Sequence, residues 1–451
     1  MTDDATSSDA NSQRPPQARS AAGPSERVIG LAMLGGQMGG QLGGPLERGQ
    51  TAAEALRRVA PGSARVRGVY VHVPFCFHKC HYCDFYSFVD REDRQPAYVH
   101  RLLREADAGR AAGVLDGPIE TVFVGGGTPT FLRPELLRAL LTGLAERLPL
   151  QPVTRGPDGR PVAGLEWTVE ANPETVTDEV AEILVSSGVN RVSVGVQSFH
   201  PAHLKTLERW HDPASVGRAV ERLRRAGIRR LNLDLIFGIP GSTLAEWSSD
   251  LDRALELGPD HLSCYGLTYE PNTAMTKRLE LKQFEACDED LEAAMYECTL
   301  DRLEAAGFEQ YEISNFAKPG EACRHNLLYW HNADWWSLGP SGSAHVQGVR
   351  WKNVPRLSAW LASESATSPI QDLEKVDEET RAGEILMLGL RLREGLPQST
   401  VDRCCQGPRG AERQAALAAA LERGLMERVA DRLRFTRAGL LLADEVLAEV
   451  V

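Results

Sequence analysis

Val73-Pro74-Phe75-Cys76-Phe77-His78-Lys79-Cys80-His81-Tyr82-Cys83-Asp84-Phe85 follows the first β-rich run of the chain and places three cysteines within eight residues. Loops after parallel strands are where ligands are commonly held. Three thiolates at this spacing can each take one iron of a 4Fe-4S cluster, leaving the fourth iron open to a small molecule. The same residues allow two other readings. They can be three buried free cysteines, or a Cys3His zinc site completed by His72, His78 or His81. A ferredoxin-type cluster asks for a fourth cysteine. The remaining six, Cys264, Cys287, Cys298, Cys323, Cys404 and Cys405, are scattered through other elements and read as small apolar residues.

Outward from this loop, β-rich runs alternate with helical stretches. The expected strands are Val69–Phe75, Thr121–Gly125, Glu166–Glu170, Arg191–Gln197, Leu231–Phe237 and His261–Thr268. Between them lie expected helices at Ala97–Ala112, Pro134–Leu148, Asp178–Ser187, Pro213–Ala226 and Leu244–Leu257. Such βαβα alternation implies an α/β fold with a parallel sheet. Six units are too few for a closed eight-stranded barrel, so the expectation is a partial (β/α)6 TIM-like barrel with its active groups at the strand ends. Gly156–Gly164 reads as a surface loop. A helix at Asp288–Gly307 and a strand at Gln310–Ser314 follow, then an irregular stretch, Asn315–Arg356, carrying Trp330, Trp335, Trp336 and Trp351.

The last part, Val376–Val451, reads as helices at Glu379–Arg391 and Ala411–Gly424, a hairpin at Met426–Thr436 and a closing helix, a winged-helix-like unit. From Asp377 onward it holds 11 basic and 13 acidic residues, unlike a DNA-reading wing. The expected organisation is a flexible low-complexity segment at 1–66, the barrel at 67–317, an irregular connecting region at 318–375 and the C-terminal unit at 376–451. Within the first segment only Thr51–Val59 has a helical pattern, and its removal is expected to leave the barrel intact.

Composition narrows the function. The 451 residues carry a formal net charge of −12, which argues against nucleic acid or an anionic membrane as the main partner. No apolar run approaches the length of a membrane span, and the N-terminus lacks the basic start and apolar core of a signal peptide. The expected location is the cytoplasm, with the nine cysteines reduced.

The strand ends carry further candidates. The second strand runs into Gly125-Gly126-Gly127-Thr128-Pro129-Thr130, where small residues permit close backbone approach to a ligand. A tight strand-to-helix turn is the alternative. The third strand ends at Glu170, a ribose acceptor or a helix cap. The fourth ends at Gln197, and Arg209 beyond it suits a carboxylate or stands as a solvated helix charge. Asp234 lies inside the apolar fifth strand and needs a partner, either a ligand or a buried ion pair.

Cys-x3-Cys-x2-Cys after the first strand of a βα-repeat domain resembles the radical S-adenosylmethionine (SAM) superfamily. That resemblance implies a 4Fe-4S cluster on Cys76, Cys80 and Cys83, with the open iron chelated by SAM. Electron transfer to SAM can then yield methionine and a 5′-deoxyadenosyl radical. The ordered motifs are similar to one branch, the oxygen-independent coproporphyrinogen III dehydrogenases (HemN) and the related HemW heme chaperones. Tyr70, Gly126, Gly127, Thr128, Glu170, Gln197, Arg209 and Asp234 match SAM-contacting positions of that branch.

The dehydrogenases carry a further cysteine two residues after the third. Here Asp84-Phe85 follows Cys83, so that cysteine is absent. His325-Asn326-Leu-Leu-Tyr329-Trp330 matches the branch's HNxxYW motif, associated with heme binding. Heme needs an axial donor and a flat apolar environment. His325, Asn326, Tyr329 and Trp330 are therefore the heme candidates, with His331 and His345 as other donors. The residues alone equally describe a loop whose histidine caps a helix and whose aromatics fill core.

The resemblance implies a heme chaperone that hands heme to an acceptor protein, draws on an electron donor and forms a homodimer. No heptad pattern in the sequence supports the dimer. The alternative is radical decarboxylation of coproporphyrinogen III propionates.

Overall fold

The computed structural model describes residues 50–59, 66–152, 154–155 and 161–451. Six parallel strands follow in sequence order: β1 (Gly68–Val73), β2 (Thr121–Gly126), β3 (Glu166–Ala171), β4 (Arg191–Gln197), β5 (Arg230–Phe237) and β6 (His261–Gly266). Helices α1 (Gln95–Ala111), α2 (Pro134–Arg147), α3 (Asp178–Ser186), α4 (Pro213–Ala226) and α5 (Leu244–Glu256) cross between them. Each strand pairs with the next, as in β1 against β2 from Gly68↔Thr121 to Val73↔Gly126. Among the described residues β6 does not return to β1, so the (β/α)6 barrel stays open, as expected.

The strands alternate with a period of two. Val69, Val71 and Val73 of β1, Val192, Val194 and Val196 of β4, and Leu231, Leu233 and Leu235 of β5 are buried in the main hydrophobic core with residues of the crossover helices. The residues between them face inward and are mostly polar or small: Tyr70 in β1, Ser193 and Gly195 in β4, Asn232 and Asp234 in β5. A parallel sheet covered on both faces by helices would be apolar throughout. Here the inner face lines a cavity.

The stretch expected to be irregular is ordered. Residues Trp335–Leu338 form a strand parallel to β1, and Ser343–Val346, Val349–Asn353 and Ile370–Lys375 continue the sheet as an antiparallel meander. These strands are short, and the pairing that fixes the first of them is to β1, more than 260 residues earlier, so no local period announced it. Glu309–Gln310 and Asn315–Ala317 pair antiparallel beyond β6, in place of one strand at 310–314. The motif His325–Trp330 lies on a helix, Arg324–Trp330.

Two expectations fall at the N-terminal side and near residue 156. The helical pattern at Thr51–Val59 forms a helix, Ala52–Leu56, that is clasped to the meander. The Ile370 amide donates to Gln50 O at 3.0 Å, the Ala52 amide donates to Ser368 O at 3.0 Å, and Ala52 and Ala55 are buried in the core. This part is therefore packed against the fold. Residues 1–49 and 60–65, and 156–160 of the expected surface loop, lie outside the described residues.

The C-terminal unit contains helices Glu378–Gly389, Gln398–Cys404, Gly410–Glu422 and Ala443–Val450 and a three-stranded sheet that includes the hairpin Met426–Val429/Arg432–Phe435. The helix at Gln398–Cys404 had no sequence signal strong enough to place it. Arg413 ties the unit together, donating to Val450 O, Cys404 O and Glu379 O at 2.9, 3.1 and 3.0 Å. Among the described residues no helix is long and apolar enough to cross a membrane.

Candidate functional site

The cysteine loop leaves the carboxyl end of β1 and is pinned at its base. The Cys76 amide donates to Phe88 O and the Phe88 amide to Pro74 O, both at 3.0 Å. Lys79 Nζ donates to Phe85 O at 2.8 Å and closes the loop on itself. Cys76, Cys80 and Cys83 are free thiols that line one cavity together with Thr128 and Arg209. Cys76 Sγ lies 3.6 Å from Thr128 Oγ1, and Arg209 Nη1 points at Cys80 Sγ from 3.7 Å. Burial pushes the Cys76 thiol up, and burial with the neighbouring Cys80 sulfur pushes Cys83 to about 12. Metal binding here must release those protons.

Three thiols on one short loop are the donor chemistry of a cluster. Among the described residues no three His, Cys, Asp or Glu side chains gather closely enough to hold a single metal ion. Thiolates bound to three separate irons stand wider apart than ligands converging on one zinc. His72, a candidate for completing a zinc site, has both ring nitrogens engaged, 3.1 Å from Tyr70 Oη and 2.8 Å from Tyr86 O. His78 lies against Trp210, with ring centroids 5.0 Å apart and the planes tilted by 35°, and its Nε2 has no hydrogen-bond partner among the described residues. His81 lies 3.3 Å from Arg278 Nη1.

The matching strand-end residues are brought together. Tyr70, Gly126, Gly127, Thr128, Glu170, Gln197, Arg209 and Asp234 line one cavity of about 1210 Å³, open mouth included, which also reaches Cys83. The glycine run has a polarity that its sequence did not disclose. The Gly126 amide donates to Glu170 Oε2 at 2.9 Å, Gly127 to Val73 O at 2.7 Å and Thr128 to Phe75 O at 2.8 Å. No amide of these three remains for a ligand, and the Thr128 carbonyl accepts from the Phe131 amide at 2.9 Å, which leaves the carbonyl oxygens of Gly126 and Gly127 and the Thr128 hydroxyl. Its small residues answer to protein neighbours: a Cβ on Gly126, whose φ is +105°, would stand 2.5 Å from the His72 ring.

Glu170 is not a helix cap, because Asn172 caps the following turn. It faces the cavity, and burial beside Asp234 lifts its carboxyl to about 7. Among the described residues Asp234 is in no ion pair. It is held by Ser193 Oγ at 2.9 Å and Asn232 Nδ2 at 2.7 Å, and burial raises its carboxyl. Arg209 is no solvated helix charge either. It lies beyond a short helix, its Nη2 donates to Gly195 O at 2.6 Å, and its Nε is buried without a partner. Gln197 sits at a bulge with φ +65°, a strained backbone that turns its side chain to the cavity.

The motif helix closes the opposite, inner end. His325, Asn326 and Tyr329 line the same cavity. His325 is 1% exposed and both its nitrogens are engaged, Nδ1 with Thr121 Oγ1 at 2.8 Å and Nε2 with Tyr329 Oη at 2.9 Å. Burial lowers it to about 4, so it is neutral. It caps no helix, since Cys323 occupies that position. Trp330 is separated from the other three: it packs against Leu388 and Leu392 of the C-terminal unit, with Arg391 over its ring at 5.8 Å. His331 is exposed, and His345 is buried with Nδ1 3.3 Å from Ala333 O. Sequence reading missed Arg191, Ser193, Asn232 and Tyr265, which also line the cavity. Their signal was available: Arg191-Val-Ser193-Val-Gly195-Val-Gln197 is polar or small at every second residue of a strand.

Comparison with known proteins places this geometry in context. Residues 70–254 match the family model of the radical SAM superfamily, and residues 376–442 match that of the HemN C-terminal domain. The heme chaperone HemW of Mycobacterium tuberculosis is 37% identical over 393 residues, covering 86% of this chain and 96% of that protein. HemW of Bacillus subtilis is 33% identical over 84% of this chain and 98% of its own. HemW of Escherichia coli is 40% identical over 60% and 68% respectively. The structure of coproporphyrinogen III oxidase (HemN) from Escherichia coli superposes with a TM-score of 0.74 at 20% identity, covering 90% of this chain and 94% of that one, and establishes the shared fold.

Proposed function

Because this chain belongs to the HemW heme chaperone family of the radical SAM superfamily, we propose that it binds heme and passes it to an acceptor protein in the cytosol. Cys76, Cys80 and Cys83 would hold a 4Fe-4S cluster, and the adjoining cavity would take SAM. When bound, the two supply one-electron chemistry at the SAM sulfonium. The chain's own part is binding and orientation. Carbonyl oxygens of Gly126 and Gly127 suit an ammonium group, and the unpartnered Arg209 Nε suits a carboxylate. Glu170 accepts hydroxyl donors, and Tyr70, Gln197 and Asp234 complete the wall.

One observation supports the chaperone reading most directly. A single cavity runs from the cysteine loop to the motif helix, so the SAM-facing residues and His325, Asn326 and Tyr329 border the same space. His325 would offer Nε2 to heme iron once the Tyr329 hydroxyl turns away. Trp330 would support the helix from behind, against the C-terminal unit.

The test is an anaerobic heme titration of the cluster-reconstituted full chain, followed at the Soret band, then transfer to an apo-hemoprotein. The expected result is saturation near one heme per chain and measurable transfer. Absence of saturable binding overturns the reading. Formation of protoporphyrinogen from coproporphyrinogen III, with stoichiometric 5′-deoxyadenosine, would instead point to dehydrogenase chemistry. Cys76→Ala is expected to lose bound iron and sulfide, and wild-type iron content in that variant removes Cys76 from the cluster.

A further inference from the structure

Arg191 opens β4 at the inner end of the barrel. It is 2% exposed and its side chain lines the cavity. Among the described residues its guanidinium makes no hydrogen bond and no ion pair, and its interactions with Glu166, Cys323, Tyr311 and Asp234 are electrostatic at longer range. The two carboxylates nearest in that set are occupied elsewhere. Glu166 takes Arg230 Nη1 at 3.1 Å and the amides of Arg324 and His325 at 3.1 and 3.0 Å. Asp234 takes Ser193 and Asn232. A guanidinium has five donors in a fork that matches a carboxylate. Leaving them unsatisfied in a buried site is costly, so an anion or ordered water must meet them.

SAM does not supply that anion. Its carboxylate would chelate the open iron at the cysteine loop, beside Arg209, which bridges Cys80 Sγ and Gly195 O. Arg191 lies four residues before Gly195 on the same strand, about 13 Å away at the rise of a parallel strand. A carboxylate at Arg191 therefore belongs to a second molecule in the inner half of the cavity, where His325 and Tyr329 also stand. Heme is a flat macrocycle with both carboxylates on one edge.

Resting on the heme reading above, we propose that Arg191 is the carboxylate anchor of the inner chamber and takes a propionate of the heme cargo, on the side bordered by His325 and Tyr329.

The experiment compares heme with its dimethyl ester, whose propionates carry no charge, on the reconstituted full chain. The wild type is expected to bind the diacid about 10- to 100-fold more tightly than the ester. Arg191→Gln should bring the two affinities together, while Arg191→Lys, which keeps the charge without the fork, should retain part of the preference. Equal wild-type affinities for diacid and ester overturn the proposal while leaving heme binding intact, and water then satisfies Arg191. A preference that survives in a folded Arg191→Gln overturns it as well, in favour of another cation. The wild-type comparison can overturn the proposal even where Arg191→Gln does not fold, and Arg191→Lys then tests the assignment to Arg191. Failure to bind either compound overturns the heme reading itself.

Discussion

At His325 both ring nitrogens are held, by Thr121 and Tyr329, inside a pocket that keeps the imidazole neutral. Removing the ring therefore has two effects. His325→Ala leaves two buried hydroxyls without their partner, and should lower unfolding stability by about 2–4 kcal/mol in denaturant titration. It should also weaken heme binding at the Soret band. A variant as stable as wild type would mean that the side-chain network is not formed. A stable variant with unchanged heme affinity would remove His325 from ligation. Sequence could read type and spacing, which put Cys76, Cys80 and Cys83 on one loop, and in the structure the three line one cavity. Residue chemistry was not legible where it depended on a distant partner. Nothing near Asp234 in the chain announced that Ser193 would hold it, and nothing near His325 announced Thr121, more than 200 residues away.

Among the elements, the six strands and five crossover helices of the barrel were readable because each has its own period and its own turn residues. The meander was not, since its strands are short and its alignment is decided by β1. Two predictions belong to how elements dock there. Helix α1 buries Glu105 against the turn after Trp335–Leu338, where it accepts from the Gly339 amide at 3.2 Å. Burial pushes its carboxyl up to about 7. The folded chain thus keeps a proton that the unfolded chain gives up near 4.5, so the contribution is present below that pH and is lost as pH rises through 7. Glu105→Gln cannot ionise, and its stability relative to the parent should improve by about 3 kcal/mol between pH 4 and pH 8. Urea midpoints at the two pH values check this, and a pH-independent difference would sink it. The short helix Ala52–Leu56 supports the other edge of the meander. A chain starting at Gln50 should be about 2 kcal/mol more stable than one starting at Val66, and equal thermal midpoints would show the clasp to be idle.

For the whole molecule, the C-terminal unit is not a loose appendage. Trp330 packs on Leu388 and Leu392, the Arg393 amide donates to Tyr311 O at 3.0 Å, and Arg437 pairs with Asp301 at 2.6 Å. Trp330→Ala should destabilise by about 3–5 kcal/mol, with protease cleavage appearing first between the barrel and this unit. Cleavage elsewhere would mean that the contact does not hold them together. The contact also explains why a motif that reads as one block splits in space: a seven-residue helix has two faces, and here each meets a different part of the chain. A glycine-rich turn after a parallel strand is commonly a phosphate cradle, its amides turned to the ligand. At Gly126–Thr128 all three amides already have protein acceptors, the Glu170 carboxylate, Val73 O and Phe75 O. That leaves the turn without a free amide donor for an anion. Of two adenosine-bearing molecules, a nucleoside triphosphate would find no free amide for its phosphates there, whereas a sulfonium amino acid could set its ammonium group against the carbonyl oxygens of Gly126 and Gly127.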